Sequence, residues 1–301
     1  MALRRTGRFE VCVARRQAEV EAEIETAEAL VIGNSCFEPV ASAIYSKGKR
    51  LRWIQFSSSG SDALVHERLR SDIAVTRAVG VWTPVVAEHA LALALALLRR
   101  LPEHQRQQGA KQWIEGAANL RMRSLVGMRA LVIGFGDIGK TFARLAGAFG
   151  AEITAVATSR RVEDGLPVHA AAELPALLPR AELVVLTASG HRDKLPILGE
   201  SYLGLLSPSA YLVNVGRGSL IDQDALCGRL AAGQLAGAAL DVAAIEPVPA
   251  DSPLWEAPNL ILTPHVAGVG DRKALERLAT QCATNAMRLL KNKEMIGLVR
   301  R

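Results

Sequence analysis

The chain has 301 residues, half of them hydrophobic and 22% charged, and its formal net charge is +6 at pH 7. A chain of this length favours two compact domains. The positive charge alone does not indicate a nucleic-acid partner, because no Lys/Arg block with interleaved aromatics occurs and aromatic residues make up only 4%. The four cysteines form no CxxC pair and no metal-ligand spacing, so we predict no metal site and a reducing, cytoplasmic location.

The first hundred residues alternate short apolar runs with helix-compatible segments. The strand-like runs are FEVCVA at 9–14, ALVIGNS at 29–35, LRWIQFSSSG at 51–60 and IAVTRAVG at 73–80. The segments that suit helices are QAEVEAEIETAE at 17–28, EPVASAIYSKG at 38–48 and ALVHERLRS at 63–71. This alternation predicts βαβ units on a parallel sheet, with ligand-binding loops at the carboxyl ends of the strands. The Arg-rich start runs directly into the first of these strands, which favours a mature N-terminus over a transit peptide.

The most apolar stretch is PVVAEHALALALALL, residues 84–98. It is shorter than the ~20 residues that a membrane span needs, and it contains Glu88 and His89, so we predict no membrane partner. A buried helix that bridges the two halves of the chain is the better interpretation. His89 could be a ligand or a catalytic group, but a single histidine on an apolar helix favours a hydrogen-bonded core residue.

Six further apolar runs follow in the second half of the chain. They are RALVIGFG at 129–136, AEITAVAT at 151–158, AELVVLTAS at 181–189, AYLVNVGRG at 210–218, AGAALDVA at 236–243 and NLILTPHVAG at 259–268. Near-continuous apolar runs are typical of buried parallel strands. The last segment, 271–293, carries apolar residues at helical spacing and is expected to cross back to the first half.

The first of these six runs ends in a glycine-rich turn. Gly134, Gly136 and Gly139 have GxGxxG spacing, in which the first glycine permits a tight turn, the second lets backbone N–H groups approach a pyrophosphate, and the third lets helix and strand pack closely. The helix that starts near Asp137 would direct its positive N-terminus at the phosphates. We therefore predict a dinucleotide-binding domain over 96–270, a substrate or catalytic segment over 1–95, and a helix over 271–301 that returns to that segment.

The end of the next strand indicates which dinucleotide is bound. An Asp or Glu about 20 residues after the glycines usually bonds the ribose 2′-OH of NAD, but here Ala157 is followed by Thr158, Ser159, Arg160 and Arg161. Hydroxyls and guanidiniums would bind a 2′-phosphate through charge-assisted hydrogen bonds, which predicts NADP(H), with NAD(H) as the less favoured cofactor. The alternative is that the two arginines are a solvated surface turn.

Three polar side chains follow the ends of the last three strands. Arg217 lies in NVGRGSLID, Glu246 in LDVAAIEP and His265 in LTPHVAG. Hydride transfer to a 2-oxo acid needs this set: an arginine to hold the carboxylate and polarise the ketone, a histidine to protonate the alkoxide, and a carboxylate to orient and charge the imidazole. Each residue taken singly could instead be a surface ion pair, a turn or a helix cap.

The elements GFGDIGK, LVNVGRGSLID, ALDVAAIEP and LTPHVAG occur in the order found in D-2-hydroxyacid dehydrogenases, and the chain resembles this family over nearly its whole length. The resemblance implies an α/β fold with a flavodoxin-like substrate domain, a Rossmann-type doubly wound dinucleotide-binding domain and a site between them, commonly in a homodimer. It implies that Arg217, Glu246 and His265 are the catalytic set.

The resemblance also implies binding residues. WIQFSSSGSD is similar to the loop whose N–H groups hold the substrate carboxylate, which would place Ser59, Gly60 and Ser61, with Arg217 and His265, at the substrate. Asp241 is expected near the nicotinamide amide. The remaining cofactor contacts expected from the family pattern are Ile138, Thr187, Val215, Gly216 and Gly268.

Departures from the family pattern narrow the choice of activity. Ala243 stands where the family usually has an aromatic residue, so the wall near the cofactor is expected to be more open. Glu246 argues against a formate dehydrogenase, which has glutamine there, and the lack of a segment after residue 301 argues against a phosphoglycerate dehydrogenase. The SRR segment resembles the NADPH-dependent glyoxylate/hydroxypyruvate reductase branch. The alternative is a cofactor-sensing binding protein similar to the corepressors of this family.

Overall fold

The computed structural model describes residues 9–61, 64, 68–115, 122–189 and 196–299. Its strands are β1 Ala29–Ile32, β2 Trp53–Phe56, β3 Ala74–Thr76, β4 Arg129–Ile133, β5 Glu152–Ala157, β6 Arg161–Glu163, β7 Leu166–Ala170, β8 Leu183–Leu186, β9 Tyr211–Asn214, β10 Gly237–Leu240 and β11 Leu260–Leu262. Its α-helices are α1 Gln17–Glu23, α2 Asn34–Phe37, α3 Ala41–Lys47, α4 Thr83–Leu98, α5 Leu101–Gly109, α6 Asp137–Ala148, α7 Leu174–Leu177, α8 Glu200–Leu203, α9 Gln223–Ala231 and α10 Arg272–Leu290. Short 3₁₀ turns lie at Glu38–Val40, Ala171–Glu173, Leu178–Arg180, Gly218–Leu220 and Pro253–Trp255.

The chain divides into two compact units, Met1–Trp82 with Gly270–Arg301, and Thr83–Val269. Among the described residues no helix combines the length and the hydropathy that crossing a bilayer requires. The first unit ends at Trp82, earlier than the boundary at 95 expected from the sequence. The reason is α4, which lies against α6, β9 and β10 of the second unit and buries apolar side chains along most of its length.

The first unit holds a three-stranded parallel sheet in the order β1-β2-β3. Its core contains fully buried aromatic rings, with the Phe37 and Phe56 centroids 5.4 Å apart. The strand expected at 9–14 is wrong: these residues form no strand, and Val13 is 63% exposed. A segment with the composition of a strand becomes one only where a neighbouring strand pairs its N–H and C=O groups. Residues 63 and 65–67 of the helix expected at 63–71 lie outside the described residues.

The C-terminal helix α10 packs in the first unit through a buried polar network. Asn285, fully buried, donates to Gln55 Oε1 (3.0 Å) and to the Ile296 carbonyl (2.9 Å), and its Oδ1 accepts from the Ile296 N–H (2.8 Å). Thr76 Oγ1 donates to the same Gln55 oxygen at 2.8 Å. Because an unpaired buried polar group is costly, this network favours one seating of α10 on the strands.

The second unit holds an eight-stranded sheet in the order β11-β10-β9-β8-β4-β5-β7-β6, parallel except for β6. All six strands expected in this half are present, and the predicted α/β fold with a Rossmann-type domain is confirmed. The hairpin β6/β7 at the edge was not predicted. Its signal was the Asp164-Gly165 pair, whose positive φ angles of 52° and 78° are those that a tight two-residue turn requires.

Candidate active site

The loops that carry the expected site residues of the second unit emerge at one edge of its sheet. β4, β5, β8, β9, β10 and β11 run parallel, so their carboxyl ends all lie along this edge. From β4 the chain continues to β5 on one side and then returns to β8 on the other side, so the strand order reverses between β4 and β8. In doubly wound sheets, ligands bind at the carboxyl ends of the strands beside such a reversal. Arg217, Asp241, Glu246 and His265 follow β9, β10 and β11, and the glycine-rich turn follows β4.

The three glycines of the turn have the distinct roles that their spacing indicates. Gly134 has φ +100°, and a Cβ there would lie 2.3 Å from the Ala188 nitrogen. A Cβ on Gly139 would lie 2.3 Å from the Gly134 carbonyl oxygen, which also accepts a 2.6 Å hydrogen bond from Thr187 Oγ1. A Cβ on Gly136 would meet nothing within 4 Å, so open space adjoins this residue at the start of α6. This open cradle beside a helix N-terminus suits a pyrophosphate.

The two arginines after β5 form ion pairs and are not a freely solvated turn. Arg160 donates from Nε and Nη2 to both carboxylate oxygens of Glu173, at 3.2 and 2.6 Å. Hydrogen bonds from Arg160, from His169 and from the Ala170 N–H lower the pKa of Glu173 to about 2. The side chains of Thr158 and Ser159 are exposed beside this pair.

His265 and Glu246 form a close pair. His265 Nδ1 lies 2.7 Å from Glu246 Oε2. The other carboxylate oxygen, Glu246 Oε1, accepts a hydrogen bond from the Ala243 N–H at 2.9 Å. The hydrogen bond to Glu246 raises the pKa of His265 despite partial burial. Burial would raise the pKa of Glu246, but the bonds from His265 and Ala243 outweigh it and lower that pKa. The ring's Nε2 has no hydrogen-bond partner within the described residues, and the side chain is 55% exposed, so Nε2 can reach a ligand.

Glu246→Gln should lower the pKa of His265. The carboxylate favours the imidazolium, whereas a neutral amide does not, so the ring should lose its proton at a lower pH in the variant. A proton-NMR titration of the His265 ring measures this directly. The control is Glu152→Gln, which removes a carboxylate at the amino end of β5, away from the loops that carry His265 and Glu246. It should leave the His265 titration unchanged. An unaltered His265 titration in Glu246→Gln would show that the pair does not form.

The turn that carries His265 is anchored by Asp241. The Asp241 side chain is 1% exposed; Oδ1 accepts from Thr263 Oγ1 (2.6 Å) and the Val266 N–H (3.0 Å), and Oδ2 accepts from the Ala267 N–H (2.9 Å). The Asp241 carbonyl accepts from the His265 N–H at 2.8 Å. His265 itself has φ 54°, an uncommon backbone conformation that these bonds hold in place.

His89 on α4 extends this network. Its Nε2 lies 3.0 Å from Thr263 Oγ1 and 3.4 Å from Asp241 Oδ1. Sequence reasoning expected a hydrogen-bonded core residue here and assigned nothing to Thr263. The signal for Thr263 was its position two residues before His265, at the end of a strand.

Arg217 is brought to the same place by close contact between two loops. A Cβ on Gly218 would lie 1.9 Å from the Ala243 carbonyl carbon, so only glycine lets these backbones meet. Asn214 Nδ2 donates to the Arg217 carbonyl (2.9 Å), and Arg217 Nη1 donates to the Gly216 carbonyl (2.8 Å). The Arg217 charge lowers the pKa values of both Glu246 and His265, but by less than the hydrogen bond between them shifts these values. All three groups therefore interact.

The remaining expected site residues lie in several places. Ile138, Thr187, Val215, Gly216 and Gly268 belong to the second unit, in or beside the loops at this edge of the sheet. Ser59, Gly60 and Ser61 belong to the first unit, after β2. Their backbone N–H groups donate to no acceptor among the described residues, whereas the Gly60 carbonyl accepts from Ser58 Oγ at 2.7 Å. The described residues hold no cluster of metal-ligating side chains.

Comparisons of the sequence with known proteins point to one family. A family model for the NAD binding domain of D-isomer specific 2-hydroxyacid dehydrogenases matches residues 91–267. A glyoxylate reductase from Thermofilum pendens is 30% identical over 267 residues, which are 87% of this chain and 78% of the relative.

Solved structures give the same result over nearly the whole chain. A D-isomer specific 2-hydroxyacid dehydrogenase family protein from Aeromonas salmonicida has a TM-score of 0.86 at 29% identity, covering 99% of this chain and 94% of that one. A D-isomer specific 2-hydroxyacid dehydrogenase from Xanthobacter autotrophicus, solved with NADPH, has a TM-score of 0.79 at 26% identity, covering 92% and 85%. The chain therefore belongs to the family of D-isomer specific 2-hydroxyacid dehydrogenases and is an NAD(P)-dependent oxidoreductase.

Proposed function

We propose that this protein is an NADPH-dependent reductase of small 2-oxo acids, with glyoxylate and hydroxypyruvate as its substrate class. The observation that carries the proposal is the interaction of Arg217, Glu246 and His265 at the sheet edge that also holds the glycine-rich turn. The Thermofilum pendens relative, a glyoxylate reductase, supports the substrate class.

Each of the three side chains has a separate task in this proposal. A bound reduced nicotinamide supplies the hydride to the ketone carbon. His265 donates a proton from Nε2 to the oxygen on which negative charge develops, and Glu246 keeps the ring protonated and oriented. Arg217 binds the carboxylate and polarises the ketone. Reduction needs the imidazolium, so the rate falls as the pH rises through the raised pKa of His265.

The proposed cofactor contacts follow from the glycine-rich turn and its neighbours. The turn, with Asp137 and Ile138 in the first turn of α6, would hold the pyrophosphate. Asp241 Oδ2 accepts one hydrogen bond among the described contacts and would accept another from the nicotinamide amide. Thr187, Val215, Gly216 and Gly268 complete this set. The N–H groups of residues 59–61 are proposed to hold the substrate carboxylate, because they have no acceptor among the described residues.

Wild-type protein should prefer NADPH over NADH by at least about tenfold in kcat/KM, which corresponds to only ~1.4 kcal/mol. The physical reason is that Arg160, 71% exposed, and the two hydroxyls stand where an acid would repel a 2′-phosphate. Arg160→Ala should remove most of the preference, chiefly through KM for NADPH, and Ala157→Asp added to it should turn the preference toward NADH. Equal use of the two cofactors by the wild type would refute NADPH preference.

A panel of 2-oxo acids tests the substrate class. Each acid is offered with NADPH and with NADH, and the loss of the reduced nicotinamide's absorbance is followed. Turnover of glyoxylate or hydroxypyruvate well above that of bulkier 2-oxo acids is the expected result. Binding of either cofactor without turnover of any acid would instead favour a cofactor-sensing protein.

We also propose that the protein is a cytoplasmic homodimer. Leu101, Trp113 and Ile114 expose 53%, 90% and 48% of their surface, and such exposed apolar residues favour burial against a second copy. The four cysteines are all free, which fits a reducing compartment. Light scattering of the purified protein measures the oligomeric state, and a monomer at micromolar concentration would refute the dimer.

A further inference from the structure

Two adjacent arginines follow β5, and their side chains make different contacts. Arg161, the first residue of β6, donates from Nη2 to the Phe135 carbonyl at 3.0 Å and from Nε to Glu163 at 2.8 Å. The other oxygen of Glu163 pairs with Lys140 in the first turn of α6. The edge hairpin is thereby tied both to the glycine-rich turn and to the helix that follows it.

The acceptor of Arg161 is the carbonyl between the first two glycines of the turn. Because the peptide group is planar and trans, the Phe135 carbonyl and the Gly136 N–H point in opposite directions. The Gly136 N–H donates to nothing among the described residues, and open space adjoins Gly136. A guanidinium that holds the carbonyl therefore holds the N–H toward the cradle at the start of α6.

Arg160 makes no such contact within the described residues. Two of its N–H donors, on Nε and Nη2, bind Glu173. The Arg160 side chain is 71% exposed, and that of Arg161 is 38% exposed. The residue before β6 thus stands at the rim, while the first residue of β6 turns toward the glycines. The two arginines therefore have different functions: Arg161 contacts the glycine-rich turn, and Arg160 does not.

We propose that Arg161 is a positioning residue for the glycine-rich turn and serves NADH and NADPH alike, so that of the two arginines only Arg160 distinguishes NADPH from NADH. The Arg160 half of this inference rests on the proposed function. The role of Arg161 rests only on the dinucleotide-binding fold, because both cofactors contain a pyrophosphate.

Equilibrium binding tests the division without turnover. Dissociation constants for NADH and NADPH are measured by the fluorescence of the bound reduced nicotinamide, at low and high salt, with thermal unfolding as a check on the fold. Arg161→Ala should weaken both cofactors by the same factor, about tenfold, at either salt concentration. Arg160→Ala should weaken NADPH only, and less so at high salt, where the charge is already screened.

Two further variants separate geometry from charge. Arg144→Ala removes an exposed positive charge from α6 without touching the turn, and it should change neither constant by more than about twofold. Arg161→Lys keeps the charge but has one ammonium in place of a two-pronged guanidinium, so it should lose affinity for both cofactors equally.

Several results would overturn the inference. They are an Arg161→Ala variant that loses NADPH affinity alone, one that loses neither, and an Arg161→Lys variant with full affinity, which would make charge sufficient. Should Arg161→Ala fail to fold, the lysine variant alone still decides. Failure of the proposed NADPH preference looks different: wild type binds both cofactors equally and Arg160→Ala changes neither constant, while the uniform loss in Arg161→Ala remains.

Discussion

His265→Ala should lower kcat for 2-oxo acid reduction by roughly 10² to 10⁴, the usual contribution of a positioned general acid. The ring is paired with Glu246 at 2.7 Å, and its pKa is raised, so the protonated form is the one available for donation. NADPH affinity should stay near the wild-type value, because the glycine-rich turn and Arg160 are untouched. Steady-state kinetics and cofactor binding by fluorescence measure the two quantities separately.

The backbone at His265 calls for a second variant. Its φ of 54° suits asparagine better than alanine, so His265→Asn removes the imidazole with less strain on the turn that Asp241 anchors. Both variants should lose kcat to a similar extent. If His265→Asn turned over near the wild-type rate, the alanine loss would be a backbone effect and His265 would not be the proton donor.

Arg217→Lys should lower kcat/KM for the 2-oxo acid by about 10- to 100-fold. Hydrogen bonds to charged groups are worth about 1.5 to 3 kcal/mol each, and an ammonium cannot reproduce the planar two-pronged contact of a guanidinium with a carboxylate. The loop contact at Gly218 and the Asn214 bond to the Arg217 carbonyl hold the backbone independently of the side chain, so the fold should be unaffected.

A substrate change identifies what Arg217 binds. Replacing the substrate acid by its amide should reduce the wild-type kcat/KM far more than that of Arg217→Lys. Arg129→Lys, at the amino end of β4, is the matched control and should behave as wild type. Equal losses on the amide in wild type and Arg217→Lys would place Arg217 away from the substrate carboxylate.

The fold of the second unit could be predicted from the sequence because its central strands, β4, β8, β9 and β10, are buried on both faces. Each of the six strands is a near-continuous apolar run, and the glycine spacing marks the turn after β4. The fold of the first unit was harder to predict from the sequence. FEVCVA has the composition of a strand, but composition does not show whether a neighbouring strand will pair with it. The strands β6 and β7 have only three and five residues, so the Asp164-Gly165 turn was the main signal for this hairpin.

The sequence predicted the three reactive side chains of the candidate site but not the residues that hold them in place. Arg217, Glu246 and His265 each follow a predicted strand, so the shared sheet edge brings them near one another. The contact between His89 and Thr263 joins residues 174 positions apart, and no local pattern indicates it. The different orientations of Arg160 and Arg161 depend on where β6 begins, and that hairpin was itself not predicted.

The discontinuous first unit constrains the order in which the protein folds during synthesis. Gln55 and Thr76 emerge from the ribosome early, but Asn285, which completes their buried network, is made only after the whole second unit. At ~5 to 20 residues per second this interval is roughly 10 to 40 s. The second unit, continuous in sequence, can therefore close first. Until α10 is made, Gln55 and Thr76 lack the Asn285 side chain that completes their buried network.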